Sequence, residues 1–190
     1  MEKTEEIFKN LVNTKSDINE HLLTLRKYAE ECSHITEMGT RYVCSTWAFV
    51  IAKPKKVVCY DILTDLDLNR VNQRLSEIKS HSENLGVDFT FNLQNVLEAD
   101  IEETDLLFID TYHEYNQLKS ELSLHGGKVK KYLIFHDTTT FGVHGETFKK
   151  PNTVGIMPAI NEFLEENKNW VLHEKFENNN GLTILKKIHE

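Results

Sequence analysis

The sequence predicts an α/β protein with a doubly wound, mostly parallel sheet and helices on both faces. From about residue 33 onward, short apolar or β-branched runs alternate with segments of helical spacing. This alternation is typical of parallel β-α units. Two of the runs are almost continuously apolar and end at Asp110 and Asp137. Such strands are buried in the middle of a sheet, and their carboxyl ends are where open α/β sheets bind ligands.

Strands and helices are predicted in alternation after the N-terminal region. The strand runs are short and rich in β-branched or aromatic residues, whereas the helical segments place apolar residues at spacings of three and four. The predicted strands cover residues 34–38, 56–60, 88–93, 105–109, 131–135 and 181–185. The predicted helices cover residues 45–52, 68–85, 115–124 and 154–167.

Two segments lie outside this alternation. Residues 1–31 are predicted to form a helical cover, because apolar side chains such as Ile7, Leu11 and Ile18 recur at helical spacing between charges. The alternative for this amphipathic stretch is an interface with a partner or with a second copy of the chain. Residues 138–154 show no period and are long for a loop, which is typical of either a functional lid or a disordered excursion.

Length and composition limit the function classes. The chain has 190 residues, which predicts one domain over residues 1–190. The 22 Lys and Arg against 30 Asp and Glu give a net charge of -8, so nucleic acid and anionic membrane are not expected partners. The three cysteines have no C-x-x-C spacing, and no membrane-spanning run or signal-peptide pattern is evident. A cytoplasmic location is therefore expected.

The first candidate site follows the first two predicted strands. Glu37 and Gly39 lead into a turn and a helix start, whose free N–H groups favour an anionic or polar ligand. A dinucleotide site would need G-x-G-x-x-G, and this turn has a single glycine. Asp61 ends the next strand, 22 residues after Gly39, where an acid can bind ribose hydroxyls. The alternative is that Asp61 caps the following helix.

The second candidate site follows the two central strands. Asp110 and Asp137 offer carboxylate ligands for Mg²⁺, and His136 could join them for a softer ion such as Mn²⁺. His113, three residues after Asp110, is a candidate general base. The alternative is that the aspartates cap helices and the histidines make structural hydrogen bonds. Because both motifs fall at the same predicted sheet edge, a site is the favoured interpretation.

In this order, the motifs resemble the class I S-adenosylmethionine-dependent methyltransferases. The closer resemblance is to the small-molecule O-methyltransferase group that includes cephalosporin-hydroxylase-like and macrolide-sugar enzymes. It covers about residues 33–187 and is carried by EMGTRYVCST, FIDTYHEYNQLKSEL and the tail from FHDTTTFG through VGIMPAINEFLEENKNWVLHEKFENNNGLTILKK. The sequence departs from the group at Val43 and Cys44, where glycine is usual, and at Thr111, Tyr112 and Thr138.

The resemblance implies a Rossmann-like, seven-stranded sheet with a reversed last strand, and O-methylation of a small hydroxylated metabolite such as a sugar. It also implies Mg²⁺ or Mn²⁺ beside the acceptor hydroxyl, held by Asp110, His136 and Asp137 as in metal-dependent relatives. His113 and Asp137 are the candidate catalytic residues. The implied residues that bind the cofactor S-adenosylmethionine are Glu37, Gly39, Ser45, Thr46, Asp61, Gln94, Asn95 and Asp110.

Two other functions stay open at this point. A nicotinamide-dependent oxidoreductase on a related fold would need a glycine-rich turn, which Val43 and Cys44 argue against. A non-catalytic methyltransferase-fold subunit would account for the missing glycines, and the amphipathic N-terminal stretch would then serve as its interface.

Overall fold

The strands of the protein form a mixed sheet. The structure is a computed structural model that describes residues 2–63, 65–147 and 152–188; for residues 65 and 66 it describes the backbone alone. The strands within these residues are β1 (His34–Met38), β2 (Lys56–Asp61), β3 (Asp88–Leu93), β4 (Thr104–Ile109), β5 (Val129–His136), β6 (Trp170–Phe176) and β7 (Leu182–Lys187). Their order in the sheet is β3-β2-β1-β4-β5-β7-β6. The pairs β1–β2, β2–β3 and β4–β5 are parallel, whereas β7 runs antiparallel to β5 and β6. The predicted seven-stranded sheet with a reversed last strand is confirmed.

The helices separate the strands along the chain as predicted. Their bounds are α1 (Glu2–Asn13), α2 (Leu22–Ala29), α3 (Cys44–Ile51), α4 (Asp65–Leu85), α5 (Tyr115–His125) and α6 (Met157–Glu166). None of the helices in the described ranges is long and apolar enough to cross a membrane. The chain divides into two compact units, Met1–Ala99 and Asp100–Glu190, which are called the N-terminal unit and the C-terminal unit below.

In the N-terminal unit, the core lies between the parallel strands and the helices that cover them. β1 and β2 are buried along most of their length, and β3 alternates between exposed and half-buried residues. The side chains of α3 from Ser45 to Ile51 are all buried, and α1, α2 and α4 pack against this helix. A helix that is apolar on all sides must be covered in this way.

The N-terminal cover is interrupted, so the prediction of one helical segment over residues 1–31 is wrong in the middle. Helix α1 ends at Asn13, and a short 3₁₀ turn (Asn19–His21) precedes α2. The side chain of Asn19 explains the break, because its Oδ1 accepts from the backbone N of Ser16 at 3.0 Å and its Nδ2 donates to the carbonyl of Val12 at 3.0 Å. Short polar side chains that bond the backbone in this way compete with helical hydrogen bonds.

In the C-terminal unit, β5 is the central strand and is buried from Tyr132 to His136. It pairs with β4 on one side and β7 on the other, while β6 forms the edge. Helices α5 and α6 pack against each other. The strand pattern did not predict β6, although the resemblance implied a seven-stranded sheet with a reversed last strand.

The described part of the predicted lid at 138–154 is folded back on itself. His144 and Val154 form an antiparallel bridge, and the backbone N of Gly145 donates to the carbonyl of Thr153 at 2.9 Å. Residues 148–151 of the predicted segment lie outside the described residues. A lid movement stays a prediction.

Candidate functional site

The turn after β1 has an unusual backbone. Gly39 has φ 84°, and the non-glycine residues Arg41 and Val43 also have positive φ, at 42° and 66°. The left-handed region is unfavourable for a β-branched residue such as Val43. The backbone N of Gly39 donates to the carbonyl of Tyr60 at 2.9 Å, which fixes the turn against the end of β2.

Glu37 lies beneath this turn and is completely buried. Its carboxylate accepts hydrogen bonds from the hydroxyls of Ser45 and Thr46, the latter at 2.6 Å, and from the thiol of Cys59 at 3.1 Å. Burial and the neighbouring Glu37 carboxylate raise the pKa of the Cys59 thiol well above its usual value. Three residues predicted to bind the cofactor, Glu37, Ser45 and Thr46, therefore contact one another and connect the start of α3 to β1.

Asp61 holds the same turn from the end of β2. Its Oδ2 accepts from the backbone N of Thr40 and of Arg41, both at 2.8 Å, and from Oγ1 of Thr40 at 3.0 Å. Its Oδ1 accepts from the backbone N of Ile62 at 2.7 Å. A carboxylate has about two acceptor positions on each oxygen, so the three donors crowd Oδ2 and one position is left on Oδ1. One donor is the Thr40 hydroxyl, whose rotation would free a position on Asp61 for a ribose hydroxyl without moving the backbone.

Gln94 and Asn95, which the resemblance implied to bind the cofactor, follow β3. The backbone N of Gln94 donates to the carbonyl of Asp61 at 2.9 Å, and its side chain is exposed. Oδ1 of Asn95 accepts from the backbone N of Leu97 at 3.1 Å and caps the short 3₁₀ helix that follows. Thus the turns after β1 and β3 both bond to Asp61. The cofactor roles of these residues stay predictions.

In the C-terminal unit, two carboxylates meet one histidine at the carboxyl ends of β4 and β5. Nε2 of His113 lies 3.2 Å from Oδ1 of Asp110 and 2.9 Å from Oδ2 of Asp137. Asp137 has a positive φ of 60°, a conformation that aspartate tolerates better than most residues. Its Oδ1 is buried and has no hydrogen-bond partner among the described residues.

A third carboxylate faces the other side of the His113 ring, since Nδ1 hydrogen-bonds to Oε1 of Glu146. Burial disfavours the charged ring, but the hydrogen bonds to Asp110 and Asp137 outweigh burial and raise the pKa of His113 to about 10. In the same way, burial opposes ionisation of Asp110, but hydrogen bonds from His113 and His136 lower its pKa. The charged form of the His113 ring is therefore favoured, because both of its nitrogens face carboxylates.

His136, the histidine that the resemblance assigned to the metal, lies deeper. It is 1% exposed, and its Nε2 donates to the carbonyl of Asn179 at 3.2 Å. Its Nδ1 lies 3.3 Å from Oδ2 of Asp110, and Asp110 raises its pKa although burial opposes the charge. His136 therefore contacts Asp110 from within the fold, whereas His113 lies directly between the two aspartates.

The ligand atoms of Asp110, His113 and Asp137 all lie within 4.8 Å of one another, a separation that suits one bound metal ion. Two carboxylate oxygens and one imidazole nitrogen suit Mn²⁺ or a similar divalent ion, and Mg²⁺ when oxygen ligands dominate. Oδ1 of Asp137 has no hydrogen-bond partner among the described residues, although Nδ1 of His136 lies 3.7 Å away, and it adds a further acceptor to the cluster. The donor set therefore fits a divalent cation, with His113 as its histidine instead of the predicted His136.

A buried glutamate supports the loop that carries His113. Oε1 of Glu121 in α5 accepts from Oγ1 of Thr111 at 2.7 Å and from Nε2 of Gln117 at 2.8 Å. Its Oε2 is buried without a hydrogen-bond partner among the described residues. Burial raises the pKa of Glu121 to about 7, although the hydrogen bonds from Thr111 and Gln117 favour ionisation.

Sequence reasoning missed Glu121 and Glu146. Glu121 occupies a buried position in a helix, and the only indication was a charged residue within an apolar pattern. Glu146 comes from the loop after β5, at no characteristic spacing from Asp110, His113 or Asp137. No local pattern could have identified it.

Comparisons with known proteins give structural relatives only, since neither a protein-family model nor a curated protein matches the chain. A Corynebacterium glutamicum protein is 14% identical with a TM-score of 0.68, over 99% of this chain and 89% of its own. The S-adenosylhomocysteine-bound Podospora anserina methyltransferase PaMTH1 is 14% identical with a TM-score of 0.61, over 99% and 86%. The Streptomyces achromogenes O-methyltransferase TomG, in complex with S-adenosylmethionine, is 13% identical with a TM-score of 0.61, over 93% and 82%. With this strand order, the chain has the fold of the class I S-adenosylmethionine-dependent methyltransferases.

Proposed function

We propose that the protein is an S-adenosylmethionine-dependent O-methyltransferase that acts on a hydroxyl of a small metabolite, such as a sugar, with a divalent cation. The observation that carries this proposal is the convergence of Asp110, His113 and Asp137 at the carboxyl ends of β4 and β5, in a chain with the methyltransferase fold. Ligands bind at that end of the strands in open α/β sheets. Two of the structural neighbours described above were solved with S-adenosylhomocysteine or S-adenosylmethionine.

The N-terminal unit would hold the ribose of the cofactor through Asp61. A bound cofactor supplies the methyl group. Rotation of the Thr40 hydroxyl would provide the acceptor position on Asp61, while the backbone N of Arg41 keeps the carboxylate oriented. Glu37, through Ser45 and Thr46, would keep the start of α3 in place and so support the turn rather than contact the ligand.

The C-terminal unit would hold the cation and orient the acceptor. A divalent cation bound here would supply Lewis-acid chemistry, lowering the pKa of a coordinated hydroxyl, and Asp110, His113 and Asp137 would hold it. Asp110 and Asp137 would supply the carboxylate ligands, and His113 would supply a ring nitrogen once its proton has left. The proton of the acceptor hydroxyl would leave to water, since a His113 ring that binds the cation through Nε2 and hydrogen-bonds to Glu146 through Nδ1 has no nitrogen left to accept it.

Binding of S-adenosylhomocysteine to the native chain, measured by isothermal titration calorimetry, tests the cofactor assignment. Asp61→Asn keeps the size of the side chain but removes its charge, and we expect at least a tenfold weaker affinity, since hydrogen bonds to a charged group contribute about 1.5–3 kcal/mol. Asp88→Asn is the matched control, because Asp88 is exposed at the opposite end of β3, and its affinity should equal that of the native chain.

Absence of binding by the native chain would overturn the proposed function, and so would equal binding by the two variants. Thermal-shift measurements with NADH and NADPH examine the oxidoreductase alternative. Stabilisation by either nucleotide without stabilisation by S-adenosylhomocysteine would replace the proposal with that alternative.

A further inference from the structure

We propose that Glu146 is a positioning residue, which orients the His113 ring so that Nε2 faces a cation held by Asp110 and Asp137. The inference rests on the proposed function for the presence of the cation site, and it adds a residue that the sequence motifs do not indicate.

Glu146 contacts His113 through both its side chain and its backbone. Its Oε1 accepts the hydrogen bond from Nδ1 of His113, and its backbone N donates to the carbonyl of His113 at 3.0 Å. A histidine that binds a metal through one nitrogen commonly donates the other N–H to a carboxylate, which fixes the ring and its tautomer. With Nδ1 bound to Glu146, Nε2 is the nitrogen left to face Asp110 and Asp137.

Glu146 is itself held firmly by its neighbours. Its carbonyl accepts from Oγ1 of Thr153 at 2.8 Å and from the hydroxyl of Tyr112 at 3.3 Å. The preceding residue, Gly145, runs so close to His113 that a Cβ there would lie 2.6 Å from the His113 carbonyl oxygen and 2.8 Å from Oγ1 of Thr153. The loop can approach His113 this closely because residue 145 has no side chain.

The same loop also restricts the face of the ring. Phe141 stacks on His113 with a centroid distance of 4.7 Å and an interplanar angle of 9°. The position of Phe141 is fixed because its backbone N donates to the carbonyl of Asp137 at 2.9 Å. Stacking sets the plane of the ring, whereas the hydrogen bond to Glu146 sets its rotation within that plane. The two contacts together determine where Nε2 points.

The test compares two cations that differ in their preference for nitrogen ligands. Co²⁺ accepts imidazole readily, whereas Mg²⁺ prefers oxygen ligands. We expect Glu146→Ala to weaken Co²⁺ binding by about 10–100-fold in calorimetry, which is the usual effect of losing such an outer partner. Mg²⁺ affinity should change by less than about threefold, because the oxygen ligands of Asp110 and Asp137 remain.

A double-variant cycle separates positioning from the loss of a negative charge. If Glu146 acts through His113, Glu146→Ala should add nothing to the loss of Co²⁺ affinity caused by His113→Ala. Glu146→Gln is expected to retain Co²⁺ affinity within a few-fold of native, since its amide oxygen still accepts from Nδ1. This variant also keeps the test usable if Glu146→Ala does not fold. Glu165→Ala, at an exposed position of α6, is the matched control and should bind as the native chain does.

The positioning role would be overturned if Glu146→Ala lost equal affinity for Co²⁺ and Mg²⁺, or if its effect added to that of His113→Ala. It would also be overturned if Glu146→Gln lost as much Co²⁺ affinity as Glu146→Ala. Absence of Co²⁺ binding by the native chain would also overturn it. These results are distinguishable from failure of the proposed function, because S-adenosylhomocysteine binding is measured separately and its absence would leave the Co²⁺ comparison intact.

Discussion

The carboxylates of the two units differ in how fully their hydrogen-bonding capacity is used. In the N-terminal unit, Glu37 accepts from two hydroxyls and a thiol, and Asp61 accepts from three backbone N–H groups and a hydroxyl. In the C-terminal unit, Asp137 and Glu121 each keep a buried oxygen without a hydrogen-bond partner among the described residues.

Carboxylates that accept hydrogen bonds from the protein differ in their energetic effect from carboxylates that keep a buried oxygen without a donor. A buried carboxylate whose oxygens accept from protein donors, such as Glu37, stabilises the turn that it holds, whereas a buried acceptor without a donor costs free energy. Glu37 should therefore stabilise the fold, and a carboxylate such as Glu121 should reduce its stability when it is ionised. The following predictions examine this division, beginning with the largest expected effect.

Glu37→Ala should lower the free energy of unfolding by about 4 kcal/mol, because the buried hydroxyls of Ser45 and Thr46 would each lose an acceptor at a cost of about 1–3 kcal/mol. Urea denaturation measures this change as a lower midpoint at a constant slope. Glu98→Ala, at an exposed position of the same unit, should change the free energy by less than about 0.5 kcal/mol. Similar stabilities for the two variants would remove the structural role of Glu37.

Glu121→Gln tests whether the C-terminal unit contains a destabilising carboxylate. The pKa of Glu121 is raised from 4.5 to about 7 in the folded protein, so the folded state binds more protons than the unfolded state between these pH values. Stability should then fall as pH rises through this window, by about 3 kcal/mol in total. Glutamine resembles the protonated acid, so the variant should match the native chain near pH 4 and exceed its stability at pH 8.

Urea denaturation at intervals from pH 4 to pH 8 checks this prediction. Glu165→Gln removes an exposed carboxylate from the same unit and should follow the native pH dependence. A Glu121→Gln profile parallel to the native one would mean that Glu121 is not the source of the slope, and the contrast between the units would lose its clearest support.

Much of the sheet could be predicted because its signals are local. The predicted strands at 34–38 and 88–93 have the observed bounds of β1 and β3, and Asp110 and Asp137 fall at neighbouring strand ends as expected. Strand β6 was missed by pattern because an edge strand has no buried face to impose alternation, and its Val171 and Leu172 are largely exposed.

The parts that could not be predicted depend on contacts between distant residues. Glu146 reaches His113 only because the loop after β5 closes through the His144–Val154 bridge. The choice of His113 over His136 as the histidine between the two aspartates depends on the carbonyl of Asn179, which engages Nε2 of His136. Neither contact leaves a period or a spacing in the sequence, so both require the folded structure.

The smallest expected effect concerns the backbone of the turn above Asp61. Val43 is buried at φ 66°, so its side chain stabilises the fold while its backbone conformation destabilises it. Val43→Ala should cost about 1.6 kcal/mol, at about 0.8 kcal/mol for each buried methyl lost, and it keeps the unfavourable backbone. Val43→Gly loses further apolar surface but removes a left-handed penalty of about 1–2 kcal/mol. The glycine variant should therefore be about as stable as the alanine variant or up to about 1 kcal/mol more stable.

Val50 provides the matched pair, because it is buried in α3, where glycine should be about 1 kcal/mol less stable than alanine. The measurement is the difference in urea midpoint between the alanine and glycine variants at position 43, compared with the same difference at position 50. The loss of apolar surface from alanine to glycine is similar at both positions and largely cancels. If glycine is as unfavourable at position 43 as at position 50, the positive φ of Val43 carries no strain. The turn would then be held without strain by its hydrogen bonds, from Gly39 to Tyr60 and from Thr40 and Arg41 to Asp61, and glycine at position 43 would bring it no advantage.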